Sequence, residues 1–206
     1  MKRYLIFAVV LVFVTSALSA QMFIPKFGFG PKAGINFSNV WGEDAEGAEI
    51  KFGFFGGGWV DYSFNPMLAV QGELLYTMKG AKDEPNDSST YTMSLDYLEI
   101  PILLKYNLPI PNPMMSFSLY GGAGIGILLR AEGKMEVGGN TDTQDMKDDM
   151  NSMDVGGIIG GTFEFNKIIV DARYTMGLMN VPKEVNGVQA EWKNYAISLG
   201  VGYRVF

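Results

Sequence analysis

The segment LEIPILLKY, residues 98–106, alternates between two chemically different faces. One face is apolar or aromatic and the other mixes charged and apolar residues: Leu98, Ile100, Ile102, Leu104 and Tyr106 against Glu99, Pro101, Leu103 and Lys105. Because successive side chains of a strand point to opposite sides, the segment predicts a strand with one lipid-compatible face. Similar alternation recurs down to the C-terminus, which predicts a sheet closed in lipid around a polar interior.

The N-terminal residues have the composition of a secretory signal peptide. Lys2 and Arg3 precede an apolar run over residues 4–14, and the small-residue segment TSALSAQ follows it. This run is shorter than the roughly 20 apolar residues that a membrane-spanning helix needs. We therefore predict a signal peptide over residues 1–20, cleaved after Ala20 or Ser19, with a retained N-terminal anchor as the alternative.

The composition excludes several classes of function. The chain has neither cysteine nor histidine, which excludes disulfides, a lipid-modified cysteine, Ser-His triads and histidine-bearing metal sites. Its formal net charge is −6, and loss of Lys2 and Arg3 with the signal peptide would make it more negative. Nucleic acid and anionic lipid headgroups are therefore unfavourable partners.

Eight segments of the remaining chain have the pattern of strands: residues 29–37, 50–64, 67–80, 91–108, 114–131, 154–166, 168–178 and 192–206. The connections between them alternate strictly between short and long. The long ones cover residues 38–49, 81–90, 132–153 and 180–191. This alternation is typical of outer-membrane barrels, with short periplasmic turns and long outer loops. We predict one all-β domain over residues 21–206, an eight-stranded antiparallel up-and-down transmembrane β-barrel.

Strand parity predicts which side chains face the interior. The inward set contains five basic and five acidic residues: Lys32, Lys51, Asp61, Glu73, Glu99, Lys105, Glu164, Asp171, Arg173 and Arg204. Isolated buried charges are costly, so we expect these side chains to form a paired, structural network. The interior of an eight-stranded barrel is just wide enough for side chains to fill. The sequence therefore predicts a polar, filled interior and no open pore, with aromatic belts at both ends of the outer face.

The long loops are acidic and contain 15 of the chain's 22 acidic residues. Residues 140–151, NTDTQDMKDDMN, form the densest group, and carboxylates are ligands that divalent cations prefer. The segment lacks the central glycine and terminal glutamate of a calcium loop. We expect a solvated acidic loop and no metal site, with a cation site as the alternative.

Two other patterns suggest chemistry but have simpler structural interpretations. GGAGIG at 121–126 and GGIIGG at 156–161 resemble phosphate-binding loops, but no helix is predicted after either. Glycines within barrel strands allow bending and make room for side chains opposite. Glu73 and Glu99 could act as an acid and base pair, although neighbouring cations explain them as an ion network. We predict no enzymatic activity, no catalytic residue and no cofactor.

Six segments resemble one family: GPKAGINFSNV (30–40), AVQGELLYTMKGA (69–81), DYLEIPILLKYNL (96–108), LYGGAGIGILL (119–129), DVGGIIGGTFEFNKIIVDARYTMGLMNV (154–181) and ISLGVGYRVF (197–206). They are similar to the PorT-like family of small outer-membrane β-barrels of Bacteroidetes. The resemblance implies an eight-stranded barrel in the outer membrane of a Gram-negative bacterium. The family's founding member is linked to protein secretion. One departure is Phe206, which falls out of phase with the lipid-facing residues.

We expect a structural or interaction barrel with acidic extracellular loops. Its expected partners are outer-membrane lipid, the barrel assembly machinery during insertion, and a protein partner that contacts the extracellular loops. Two alternatives remain. One is an accessory component of a protein secretion or assembly machine, which the resemblance implies. The other is a soluble lipocalin-like calyx, in which the apolar residues would line the interior and the charges would lie outside.

Overall fold

The structure is a computed structural model, and it describes residues 26–206 apart from 44, 46, 87–88, 113 and 185–189. The signal peptide predicted over residues 1–20 lies outside the described residues. That segment and its cleavage site stay predictions.

The described residues form nine β-strands: β1 (Lys26–Trp41), β2 (Glu49–Ser63), β3 (Leu68–Asn86), β4 (Ser89–Leu108), β5 (Met115–Val137), β6 (Asn140–Asp145), β7 (Met153–Phe165), β8 (Ile168–Gly177) and β9 (Lys193–Tyr203). Eight of them pair antiparallel with their neighbours in the ring β1-β2-β3-β4-β5-β7-β8-β9, and β9 pairs again with β1. Within the described part of the chain, the sixth strand, β6, pairs only with the end of β5. The predicted eight-stranded antiparallel up-and-down barrel is confirmed.

Short turns join the strands at one end of the barrel, which we call the turn end. In the β2–β3 turn, the Asn65 side-chain oxygen accepts hydrogen bonds from the backbone N–H groups of Met67 (2.8 Å) and Leu68 (2.9 Å). Asparagine side chains stabilise turns in this way. In the β7–β8 turn, Asn166 has a φ of 55°, a conformation that asparagine tolerates better than most residues. The longer connections lie at the opposite end, the loop end.

The predictions of two long loops are wrong in part, because strands occupy much of both segments. The segment 81–90 is mostly strand, since β3 and β4 continue pairing to their ends. The segment 132–153 begins as a hairpin in which β5 and β6 pair around Gly138 and Gly139, with φ angles of 56° and 84°. Positive φ at both central residues is the requirement of a tight two-residue hairpin turn, and glycine meets it without strain. The hairpin is followed by a 3₁₀ turn, Lys147–Asp149.

The outer face of the ring is apolar and the inner face is polar. Side chains such as Ile159, Leu74 and Val201 are more than half exposed, whereas Lys32, Glu73 and Asp171 are buried. The soluble-calyx alternative requires the opposite orientation, so this arrangement contradicts it.

Aromatic side chains cluster near both ends of the outer face. Near the turn end, Phe27 and Phe64 both pack edge-on against Tyr62, with centroid distances of 6.2 and 5.3 Å. Near the loop end, Phe52 contacts Phe37 at 5.7 Å. Aromatic rings at two levels are characteristic of the interfaces on either side of a bilayer.

An apolar cluster, which the sequence analysis did not identify, lies inside the barrel near the loop end. Its members are all buried: Leu95, Tyr97, Leu128, Ala131, Met150 and Val181. Leu95 and Tyr97 point inward on either side of a register shift in the β4–β5 pairing, between Asp96 and Tyr97. The extra residue is Leu129 in β5, because Asp96 pairs with Arg130 and Tyr97 with Leu128. The parity that faces inward therefore changes in β5, between Leu128 and Ala131, and stays the same in β4. We call this group the loop-end apolar cluster.

The C-terminal residues leave the sheet after Tyr203. Arg204 turns into the barrel, Val205 donates a backbone hydrogen bond to Phe29 (2.9 Å), and Phe206 is 77% exposed. Phe206 therefore lies beyond the last residue of β9 and outside the alternating strand.

Candidate functional site

The charged side chains in the barrel lumen form three clusters at successive heights, and they are the candidate functional site. Every strand of the ring except β5 and β9 contributes a charged member, and Arg204 follows directly on β9. The ring topology brings together side chains that lie up to 143 residues apart in the sequence. The three clusters follow one another from the turn end to the loop end.

The turn-end cluster is centred on Arg204. Its guanidinium donates to both carboxylate oxygens of Glu164, at 2.7 and 2.9 Å. It also donates to both oxygens of Asp61, at 3.2 and 3.3 Å, and its cationic carbon lies 4.8 Å from the Trp59 ring centroid. Lys105 lies 3.7 Å from Asp61. Two cations and two carboxylates thus share the space just inside the short turns.

The middle cluster is the most deeply buried. Arg173 donates to the two carboxylate oxygens of Glu73 through two parallel hydrogen bonds of 2.8 Å, and its Nε donates to Asp171 at 3.1 Å. Lys32 lies 3.2 Å from Glu73 and 3.1 Å from Asp171. The Tyr120 hydroxyl donates to Asp171 at 2.8 Å. Paired planar geometry of this kind is the strong form of the arginine–carboxylate interaction.

The loop-end cluster joins Lys79 and Glu99 as an ion pair. The ammonium of Lys79 also lies 5.6 Å from the Tyr97 ring centroid. Asn194 donates to the Tyr97 hydroxyl at 3.2 Å and to Asp154 at 3.4 Å. This cluster lies directly below the loop-end apolar cluster, which contains Tyr97 itself.

Gln71 connects two of the clusters. Its amide nitrogen donates to Glu73 in the middle cluster, and its oxygen accepts from Lys105 at 2.9 Å. Since an amide both donates and accepts, one residue continues the hydrogen-bond network between charged groups of either sign.

All ten residues of the predicted network lie on the inner side of the barrel. Their ion pairs, however, form separate clusters rather than one continuous network. Glu99 pairs with Lys79 rather than with Lys32, Lys105 or Arg173. Lys51 donates to the backbone carbonyl of Lys79 at 3.2 Å and takes no part in the ion pairs of the described residues.

Sequence reasoning missed several buried polar residues near the loop end, among them Lys79, Asp96, Asp154 and Asn194. Lys79 has the same parity as Gln71 and Glu73, and Asp154 has the same parity as Glu164, so extending the alternation would have found both. Asp96 has the parity of the outward-facing residues of β4 and is buried where the Tyr76 hydroxyl donates to it at 2.7 Å, so alternation would not have found it.

Residues 19–182 match the protein family described as outer membrane protein beta-barrel domain. The chain belongs to this family. This barrel protein is therefore localised in the outer membrane, and its closed ring of eight strands is an integral outer-membrane barrel. No sequence among curated proteins matches it.

Solved structures with a similar fold include other small outer-membrane proteins. Ail, the attachment invasion locus protein of Yersinia pestis, is 17% identical, with 87% of this chain and 99% of that chain covered and a TM-score of 0.47. Neisserial surface protein A is 17% identical, with 88% and 99% covered and a TM-score of 0.48. OprG from Pseudomonas aeruginosa is 12% identical, with 86% and 94% covered and a TM-score of 0.38.

The strands of this outer-membrane barrel differ in length in a way that matters at the loop end. A strand crosses the hydrocarbon core with about 9–11 residues. β3, β4 and β5 have 19, 20 and 23 residues, whereas β8 has 10. β3, β4 and β5 therefore continue well beyond the bilayer at the loop end. Together they form what we call the raised wall, on one side of the barrel.

The described residues contain no acidic cluster arranged to hold a metal ion. Within the same part of the chain, no helix is long and apolar enough to cross a membrane. The two glycine-rich motifs lie inside β5 and β7. A Cβ on Gly122 would lie 2.0 Å from the Ile102 carbonyl oxygen, and one on Gly124 would lie 3.2 Å from the Ile158 side chain. These glycines thus lie where neighbouring backbone or side chains approach closely.

Proposed function

We propose that this protein is a structural or interaction barrel of the outer membrane. In this proposal the charge-filled lumen keeps the barrel rigid and closed to solutes, and the raised wall and acidic loops make contacts outside the cell. The protein catalyses no reaction and binds no cofactor. Its structural residues are the members of the three lumenal clusters.

The packing of the lumen is the observation that carries this proposal. Three cavities lined by lumenal residues, such as Lys79, Arg173 and Lys105, are about 10 Å³ each. A cavity of roughly 10–15 Å³ is the smallest that holds one water molecule. Bidentate pairs across the lumen, such as Arg173 with Glu73, occupy the path that a solute would need.

The hydrogen bonds and ion pairs of the lumenal carboxylates support a structural role rather than acid–base catalysis. Glu73 accepts from Arg173, Lys32 and Gln71 together. Both oxygens of such a carboxylate are engaged by structural donors, and this arrangement does not suit a group that must take a proton from a substrate. Glu99 is likewise engaged by Lys79.

The loop end supports a role in contacts. Exposed carboxylates and basic groups alternate along the β5–β6 hairpin, where Arg130 pairs with Glu132 and Lys134 with Glu136. The Lys134 ammonium holds the pKa of Glu136 below its ordinary value. Exposed pairs of this kind contribute little to stability. Substitutions in the hairpin can therefore change what it binds without destabilising the barrel.

Planar-bilayer recording tests the closed lumen. We expect purified barrel inserted at high density to give no single-channel steps, while a general porin recorded in the same cell gives them. Reproducible steps from the barrel, lost in protein unfolded before insertion, would overturn the proposed filled interior.

We propose as a second candidate that the protein is a PorT-like accessory of a secretion or assembly machine in a Bacteroidetes bacterium. The support is the set of six segments given above, among which LEIPILLKY and ARYTMGL are the most specific. Affinity purification from native membranes separates the candidates. A stoichiometric protein partner that is lost when the β5–β6 hairpin is shortened favours the accessory role, and recovery of the barrel alone favours the structural one.

A further inference from the structure

An apolar cavity of about 330 Å³ lies at the loop end of the barrel, above the lumen. It is enclosed by the ends of β1, β3 and β4, by the loop after β1, and by the segments flanking β6 and β9. Its lining is mostly apolar and includes Tyr91, Met93, Met146, Met150 and Trp192. Cavities of this size fall at the lower end of the range found for small-molecule sites.

The loop-end apolar cluster forms the floor of this cavity. Met150 belongs to both the cluster and the lining, and Met93, Met146 and Trp192 pack against the cluster from above. The floor separates the cavity from Lys79 and Glu99 below it. The cavity is therefore a dead-end pocket open to the outside rather than the entrance of a channel.

The polar groups of the pocket are few and specific. The Tyr91 hydroxyl donates to the Met146 sulfur at 3.2 Å, and a thioether is a weak acceptor. Burial raises the pKa of Tyr91, so its hydroxyl stays protonated and able to donate. At the rim, Lys82 is already paired with Glu84, and Asp83 lies beside it. A ligand oxygen would thus be a better partner for Tyr91, while the rim offers no net positive charge for an anion.

The lining also indicates the shape of the occupant. Methionine side chains adapt to irregular ligands, and their sulfur atoms make favourable contacts with aromatic rings. Trp192 and Tyr91 offer aromatic surfaces for a further ring. At about 30 Å³ for each water-sized group, the cavity accommodates roughly ten non-hydrogen atoms.

We propose that this pocket binds a small, uncharged aromatic compound that carries one hydrogen-bond-accepting oxygen. The ring lies among the methionine and tryptophan side chains, and the oxygen accepts from Tyr91 in place of the Met146 sulfur. The site goes beyond the proposed structural and interaction role, and it does not depend on the lumen being closed to ions.

Acetophenone, with nine non-hydrogen atoms, is a suitable probe, and ethylbenzene is its counterpart without the oxygen. Binding is measured by saturation-transfer NMR with the barrel in lipid nanodiscs, against empty nanodiscs of the same lipid. We expect saturable binding of acetophenone. Tyr91→Phe weakens it by roughly two- to tenfold, the effect of losing one hydrogen bond, and leaves ethylbenzene binding unchanged.

Filling the pocket gives the decisive comparison. Ala48→Phe and Ala45→Phe place a ring in the cavity from the loop after β1 and should abolish acetophenone binding. Thr141→Phe on exposed β6 is the matched control and should bind like the wild type. Only a filled variant that is folded can test the proposal, so its circular dichroism and its heat-shifted gel mobility must match those of the wild type. Binding in that variant equal to the wild type, or wild-type signal no greater than that of empty nanodiscs, would overturn the proposal.

Discussion

Arg173 and Glu73 lie 100 residues apart in the sequence and join opposite walls of the barrel through two hydrogen bonds of 2.8 Å. Arg173 is in β8 and Glu73 in β3, which are four strands apart in either direction around the ring of eight. The pair therefore spans the full width of the lumen. Side-chain contacts across the diameter resist flattening of the cylinder in a way that neighbouring-strand hydrogen bonds do not.

The first prediction concerns this pair. Arg173→Met should destabilise the barrel by about 3–5 kcal/mol, because Glu73 and Asp171 are left buried with Lys32 as their remaining cation. The measurement is equilibrium urea unfolding in lipid vesicles, followed by tryptophan fluorescence. An unchanged midpoint would show that the pair contributes nothing beyond the cost of burying it.

A second prediction uses the loop-end pair in a double-mutant comparison. Glu99→Leu alone should destabilise the barrel by about 3 kcal/mol or more, since it leaves Lys79 buried without its carboxylate. Adding Lys79→Met should restore most of that loss, because a matched apolar pair removes both desolvation costs. The exposed pair of Lys82 and Glu84 is the control, and Glu84→Leu should cost at most about 1 kcal/mol. If the double variant is no more stable than Glu99→Leu, Lys79 is not the relevant partner.

A third prediction compares two glycines of the motifs that resemble phosphate-binding loops. Gly122→Ala should destabilise the barrel by about 1–3 kcal/mol, because the new Cβ would lie 2.0 Å from the Ile102 carbonyl oxygen and force the strands apart. Gly157→Ala should change stability by no more than about 0.5 kcal/mol, since nothing lies within 4 Å of its added Cβ. The temperature at which each variant loses its folded gel mobility measures the difference. Equal effects would argue against close strand approach at Gly122.

A fourth prediction tests the depth of the membrane. Ile159 is 64% exposed at the centre of β7, and Ile168 is 53% exposed beside the turn end. Ile159→Arg should cost about 2–4 kcal/mol and Ile168→Arg about 0–1 kcal/mol, because the cost of a charge falls from the bilayer midplane toward the interface. Folding titrations into vesicles give both values. A larger cost at Ile168 would place the bilayer nearer the turn end than the strand lengths indicate.

Alternation alone predicted most of the barrel. Strand number, connection order and the inward position of residues such as Glu73 and Arg173 follow from a period of two, which is a local property of the sequence. The pairing of Glu99 with Lys79 does not follow from it. That contact depends on the register between β3 and β4 and on side-chain length, neither of which a single strand specifies.

The loop end was predicted least well, for physical reasons that differ between its parts. The bulge opposite Asp96 and Tyr97 adds Leu129 to β5 and reverses the parity of that strand, so Ala131 rather than Arg130 faces the interior. No residue type marks a bulge of this kind unambiguously. The β5–β6 hairpin did have a signal, the adjacent Gly138 and Gly139, but the polar composition around them favoured a loop.

The pairing of the first strand with the last governs the order in which the protein can be completed. β1 and β9 pair over ten residues, from Lys32 with Gly202 to Trp41 with Lys193. Until β9 has been synthesised and delivered, β1 has an unpaired edge and the charged side chains stay accessible to water. Such distant contacts form slowly, so the cylinder can close only after its final segment has joined the first.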